Sequence, residues 1–198
     1  IIVCTPVATE YRRDRGPLVH VNRRSPGVSS VAVDQSEVVR LAFEHLDELG
    51  HRHVAWMNGP TSYWSSRQRR DALVPYESKR GRTIVVLDGI EPTFEGGHAA
   101  TDLAITSGAT ALVAFNDLMA LGVMAAAQAR GLRVPDDLSV VGSDDVRVAS
   151  MSWPPLSSVA SPIDELGETA VRALQRTRVR HHLLQPTLSV RGSTGPPR

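Results

Sequence analysis

Cysteine is nearly absent. Cys4 stands alone in 198 residues, which excludes an internal disulfide and any multi-cysteine metal site. A single thiol is compatible with a reducing cytoplasm, and the simplest role for Cys4 is a small apolar residue in a buried strand. Lysine is as scarce: Lys79 is the only one, so arginine supplies the other 21 of the 22 basic residues. The 21 acidic residues bring the net charge to +1, which leaves no electrostatic footprint for nucleic acid in this piece. No apolar run approaches the roughly 20 residues a membrane helix needs, so no membrane partner is expected. Also lacking are a Gly-x-Gly-x-x-Gly fingerprint, a P-loop and a nucleophile elbow, and with them the common dinucleotide, nucleotide and acyl-transfer chemistries. The start, Ile1-Ile2-Val3-Cys4, has no initiator Met, basic region or cleavage site. It reads as a strand met in mid-domain, with further chain expected upstream.

What is present is ordinary for a globular protein, 41% hydrophobic and 22% charged. Short apolar strands alternate with amphipathic helices, the pattern of a parallel sheet with crossover helices. Strands are expected at Ile1–Cys4, Leu18–Asn22, Val31–Val33, Val54–Met57, Thr83–Leu87, Ala111–Phe115, Leu138–Val141, Ser157–Ala160 and Thr187–Val190. Ser36 is expected to cap a helix that runs to Gly50 on the spacing of Val38, Leu41, Ala42, Leu46 and Leu49. Further helices are expected at Ser66–Leu73, breaking at Pro75, then from about Glu95 to Ile105, Asp117–Arg130 and Ile163–Leu174. The links Pro6–Gly16 and Leu73–Thr83 are short for parallel crossovers, which suggests missing residues in both.

In open parallel sheets ligands bind beyond the carboxyl ends of the strands. Tyr63, Ser65, Arg67 and Arg69 follow one strand. Asn116 and Asp117 come directly after the strand Ala111–Phe115, and Ser143, Asp144 and Asp145 follow the strand ending at Val141. An arginine fork, an amide and a carboxylate on one edge suit a neutral ligand rich in hydroxyls or ring nitrogens. Taken singly each is more simply a turn or a helix cap, Asp117 above all. Seven histidines invite a metal reading, but His51 and His53 flank a turn and His181-His182 sit in a polar connector. Neither pair has a cysteine or carboxylate cluster, so no metal and no cofactor is expected. Arg12-Arg13, Arg23-Arg24 and Arg67–Arg70 read as solvated faces, Arg69 excepted, and Trp153 as a residue packing its loop. A pair of carboxylates placed for catalysis is lacking, because adjacent Asp144 and Asp145 would point in different directions. The chain is therefore not read as an enzyme.

At these residues the sequence resembles the LacI/GalR family of transcription regulators. Gly50-His51-Arg52-His53-Val54-Ala55, Gly59-Pro60 and Ser65-Ser66-Arg67-Gln68-Arg69 are similar to the family's Gly-His-Arg strand start and Arg-bearing helix. Thr93-Phe94-Glu95-Gly96-Gly97 resembles a common helix start. Phe115-Asn116-Asp117-Leu118-Met119-Ala120-Leu121-Gly122 is similar to its Asn-Asp-x-x-Ala-x-Gly run. The most specific segment is Gly131 to Asp145, with Val134-Pro135-Asp136-Asp137-Leu138-Ser139-Val140-Val141-Gly142. Pro155-Leu156-Ser157-Ser158-Val159 and Val190-Arg191-Gly192-Ser193-Thr194 complete a match running in order over nearly the whole chain.

The resemblance implies an α/β, two-lobed clamshell like the periplasmic sugar-binding proteins, each lobe a mostly parallel sheet flanked by helices, the first lobe incomplete. The lobes would be residues 1–34 plus 162–186 and residues 35–161 plus 187–198, with the helix-turn-helix absent from this chain. A small-molecule effector, a sugar first and a purine second, would lie in the cleft. Its closure would alter the operator affinity of a cytoplasmic homodimer, DNA being reached only through the missing amino-terminal domain. Arg69, Asn116 and Asp144 match effector contacts, while Tyr63, Ser65, Asn22 and Asp34 match positions that contact ligand in some members. Phe94, or Pro92, lies near a stacking aromatic, and the helix Asp117–Arg130 near the dimer interface. Two departures are Ser143, where an aromatic is usual, and Ala72 in place of a common Gly. The alternative on the same architecture is a periplasmic sugar receptor for transport, which the Val-Pro-Asp-Asp-Leu-Ser-Val-Val-Gly run favours less.

Overall fold

A computed structural model of the chain describes residues 2–4, 16–78, 81–176 and 178–198. Arg12-Arg13, Lys79 and most of the Pro6–Gly16 link lie outside the described residues, as does part of the Leu73–Thr83 link. Two sheets carry the fold. The smaller has the order β1-β2-β3-β9, formed by Ile2–Cys4, Val19–Val21, Ser29–Val33 and His181–Leu184. All its pairings are parallel. The larger has the order β10-β8-β7-β6-β4-β5, built from β4 His53–Met57, β5 Thr83–Leu87, β6 Ala111–Ala114, β7 Ser139–Asp144, β8 Ser157–Ala160 and β10 Thr187–Ser189. It is parallel except for β10, which runs antiparallel to β8.

The helices are α1 Gln35–Glu48, α2 Trp64–Glu77, α3 Phe94–Thr106, α4 Asp117–Ala129, α5 Arg147–Met151 and α6 Ile163–Leu174. The two-residue period of the larger sheet divides its side chains between two cores. Val54, Trp56, Ala111, Val113 and Val141 face α1 with Phe43 and Leu46, while Ala55, Met57, Leu112, Ala114 and Val140 face α3 and α4. The α3–α4 pair packs backbone to backbone, since a Cβ at Gly97 would strike Met119 and one at Gly122 would strike Phe94. Helix α6 lies on the smaller sheet through Leu166, Ala170 and Ala173.

Several local expectations are corrected. Asp34, not Ser36, caps α1, accepting from the backbone N–H of Ser36 at 3.0 Å and of Glu37 at 3.3 Å. Helix α2 does not break at Pro75 but runs on to Glu77. Pro75 forgoes the bond that a backbone N–H would make to Asp71, and the turn beyond it is closed by the Ser78 hydroxyl, which donates to the carbonyl of Val74 at 3.1 Å. His181-His182 belong to a strand, β9, rather than a connector, and the His181 ring meets the Ser30 hydroxyl at 2.8 Å. Cys4 is exposed rather than buried. Trp153 does not pack its loop: it is 91% exposed.

Candidate functional site

The carboxyl ends of strands from both sheets meet at one cavity of about 220 Å³. Cys4, Asn22 and Val33 reach it from the ends of β1, β2 and β3. Tyr63, Ser65 and Arg69 reach it from the start of α2, Gln35 from the start of α1, and Phe115 and Asp144 from the ends of β6 and β7, with Ser161 beyond β8. The helix starts bring backbone N–H groups and the strand ends bring turns, which is why polar side chains gather there.

Arg69 is the centre of this arrangement. Its side chain is buried, at 4% exposure. Nε donates to Gln35 Oε1 at 2.6 Å, and Nη1 donates to the carbonyl of Phe115 at 2.6 Å and to Ser143 Oγ at 3.3 Å. The guanidinium also lies 4.8 Å from the Phe115 ring centroid, and that ring stands 6.3 Å from Tyr63. Burial pulls the Arg69 pKa down to about 10, opposed by the charge of Asp144, so the group remains a cation at neutral pH. Ser143, the small residue where the resemblance leads one to expect an aromatic, thus serves as an acceptor for Arg69.

Asn22, Asp144 and Asp145 hold positive φ angles of 55°, 100° and 52°. Left-handed backbone at non-glycine residues costs energy and persists where the surroundings impose it, often at binding sites. Two of the three line the cavity. The neighbouring carboxylates diverge. Ser161 Oγ donates to Asp144 Oδ1 at 3.4 Å at the cavity, whereas Asp145 turns away to Arg191 at 2.7 Å and to the hydroxyl of Ser189 at 2.8 Å. The Arg191 guanidinium holds the Asp145 carboxyl below its usual range.

Of the eight residues nominated from the sequence, the structure brings Asn22, Tyr63, Ser65, Arg69 and Asp144 to this cavity. Three stand apart. Asn116 caps α4, with Oδ1 accepting from the N–H of Met119 at 2.9 Å and Nδ2 donating to the carbonyl of Pro92 at 3.0 Å. The capping role expected of Asp117 therefore falls to its neighbour. Asp34 is engaged as the α1 cap and lines a larger neighbouring depression of about 970 Å³ that shares Gln35 as a wall. Phe94 lines an apolar depression with Leu121 and Trp153. Sequence reasoning missed Gln35, Phe115 and Ser161, though Phe115 ends a strand and could have been found by that rule. Among the described residues no group of three His, Cys, Asp or Glu side chains is placed to hold a metal ion.

Two lobes facing one cavity across strand ends define the class of a periplasmic-binding-protein-like domain, and the model of that domain matches residues 43–194. The chain belongs to this family, in its LacI/GalR-type branch. It is 38% identical over 199 residues to an uncharacterized HTH-type transcriptional regulator of Streptomyces limosus, covering 91% of this chain and 56% of that one. The chain thus spans about half the length of the curated relatives it matches. A LacI transcriptional regulator from a Rhodococcus species superposes with a TM-score of 0.88 at 28% identity, over 100% of this chain and 78% of that one. The regulator CelR in complex with cellobiose gives 0.79 at 31% identity, over 89% and 58% of the two chains.

Proposed function

We propose that this chain is the effector-sensing part of a DNA-binding transcription regulator, taking a sugar in the cavity between its two sheets. The observation that carries the reading is the meeting of Arg69 and Asp144, with Asn22 and Ser65, in one cavity lined on another side by Phe115 and Tyr63. The part of the Arg69 guanidinium not spent on Gln35, Phe115 and Ser143, beside a carboxylate acceptor and aromatic rings, suits a polyhydroxylated ring, whose hydroxyls donate and accept while its C–H faces stack. The relative in complex with cellobiose supports the same ligand class. Among the described residues that line this cavity no histidine stands beside Ser65 or Ser161, and the reading is binding without turnover. The lobes would part at Asp34, Ser161-Pro162 and Pro186-Thr187, where the chain passes between the two sheets.

In this reading the effector closes the lobes within a cytoplasmic homodimer, and DNA is contacted by a helix-turn-helix domain of the whole protein. Among the described residues no helix is long and apolar enough to cross a membrane. The test is thermal melting of the chain against monosaccharides, disaccharides, sugar phosphates, purines and nucleosides. A ligand at 100 times its dissociation constant adds about 2.7 kcal/mol to the native state, a visible rise in midpoint. Asp144→Ala is expected to weaken the hit by about 1.5–3 kcal/mol, the scale of a charged hydrogen bond. A purine as the only hit would replace the ligand class, and unchanged affinity in Asp144→Ala would remove the site.

A further inference from the structure

Asp117 is the one acidic residue that is buried among the described residues, at 1% exposure, and the cavity does not use it. It is the first residue of α4, beside the cap Asn116. Its carboxylate faces the corner between β7 and α5, the corner that carries Asp144 and Asp145 in left-handed conformations. Oδ2 accepts from the backbone N–H of Val146 at 2.7 Å. Oδ1 accepts from the Ser158 hydroxyl at 2.6 Å, and Ser158 Oγ in turn accepts from the backbone N–H of Asp145 at 3.1 Å. The N–H groups of two successive residues are thus held, one directly and one through Ser158. Holding both peptide planes fixes the rotation on the carboxyl side of Asp144 and both rotations at Asp145. Gly142, the residue two before Asp144, leaves no room for a Cβ, which would strike Asp117 Oδ1.

We propose that Asp117 is the positioning residue of the effector cavity: its carboxylate does not meet the effector, but clamps the corner whose left-handed backbone presents Asp144 to it. The inference rests on the reading of Asp144 as an effector contact. The clamp is built to respond to pH. Burial raises the Asp117 pKa to about 6, and the charges of Asp144 and Asp145 push the same way. The donors Ser158 on β8 and Val146 oppose the shift, and Arg191, beyond β10, is the cation whose charge interacts with Asp117. Both neighbours of the carboxylate donate to it, so an added proton has no acceptor ready and one of the two bonds must yield. Effector affinity therefore falls as pH drops through about 6.

The test follows the backbone amides of the 15N-labelled chain from pH 5 to pH 8. The Val146 amide is expected to titrate with a midpoint near 6 in the wild type, to keep that titration at a lower midpoint in Asp144→Asn, which removes one of the charges that raise it, and to lose it in Asp117→Asn. The Asp144 amide is expected to move in Asp117→Asn at every pH, and to move less in Ser158→Ala, which cuts one arm and keeps the carboxylate. A flat Val146 amide in the wild type, or an Asp144 amide unmoved by Asp117→Asn, overturns the proposal. If Asp117→Asn does not fold, Ser158→Ala with the wild-type titration decides between the same outcomes. Calorimetry with cellobiose adds the binding side: about tenfold weaker at pH 5 than at pH 8 for the wild type, and weak at both for Asp117→Asn. Equal cellobiose affinity at pH 5 and pH 8 overturns the pH response. Wild type that ignores cellobiose at both pH values counts against the sugar reading alone, because the amide shifts still decide the clamp.

Discussion

Arg69 Nε donates to Gln35 Oε1 at 2.6 Å, and this bond joins α2 to the first residue of α1, where the chain has just left β3. Gln35 Nε2 completes the link by donating to the carbonyl of Val33 at 3.1 Å. A buried cation is thereby tied to the end of a strand in the other sheet. Removing the amide would leave the Arg69 Nε donor without a partner where burial already works against its charge. Gln35→Ala is therefore expected to lower stability by about 1–3 kcal/mol, read as a lower urea midpoint at unchanged slope. An unchanged midpoint would mean that water replaces the amide and that the link does not join the sheets.

His51 sets a second expectation, on pH. Its ring is buried, with Nδ1 2.9 Å from the Thr110 hydroxyl and Nε2 2.8 Å from the carbonyl of Gly195. Burial holds its pKa below the usual 6.5. The unfolded chain therefore binds the proton more readily, so the stability contributed by the neutral ring is complete above pH 6.5 and is lost as pH falls below it. Asp117 acts with the opposite sign. Its folded pKa of about 6 lies above the ordinary 3.8, so its contribution is present below 3.8 and lost as pH rises through about 6. His51→Gln is expected to flatten the gain in urea midpoint between pH 5.5 and pH 7. A variant with the full wild-type gain would assign the pH dependence to other groups.

How much was legible before the structure depends on whether the information is local. Thr83–Leu87 and Ser157–Ala160 are read with their observed limits because breakers stand on both sides of each, and the start of Ile163–Leu174 because Pro162 precedes it. Strand β9 was not, because its partner β3 lies about 150 residues away and its own alternation is poor. The choice between Asn116 and Asp117 as the α4 cap could not be made from residue type, since both cap well. Packing decides it: Asp117 is drawn to Val146 and Ser158, which leaves Asn116 for the cap. The cavity divides the same way. Arg69 and Asp144 follow strands and are found by that rule, and Asn22 comes only from the resemblance, whereas Gln35 and Ser161 enter from crossings between lobes whose mutual packing no local pattern records. Asn116 and Phe94 show the reverse, residue types suited to a ligand that the fold uses for a cap and an apolar face.

Gly142 carries a prediction that separates backbone room from side-chain chemistry. A Cβ at this position would meet Asp117 Oδ1 and stand 3.0 Å from Leu156 Cδ2. Neither neighbour can retreat freely, because the carboxylate is held by two donors and Leu156 is fully buried. Gly142→Ala is expected to cost about 1–3 kcal/mol, the range for overpacking a tight interior, measured by urea unfolding. A neutral result would show that the β7 strand can shift away from α4 and that the contact is slack.

The last prediction concerns the apolar face of α4. Leu118 is 47% exposed and Trp153 is 91% exposed, and together with Phe94, Leu121 and Met124 they line an open apolar depression of about 630 Å³. Exposed apolar area of this kind is covered in most proteins that carry it, and a second copy is the occupant our reading requires. Sedimentation of the chain at micromolar concentration is expected to give a dimer. Leu118→Arg should then yield a monomer with an unchanged melting midpoint at low concentration, because the charge stays hydrated in the monomer and would be desolvated in the interface. A wild-type monomer, or a Leu118→Arg variant that remains dimeric, would move the contact away from this face. A monomer that still binds its effector would separate sensing from assembly and leave the cavity as the property of a single chain.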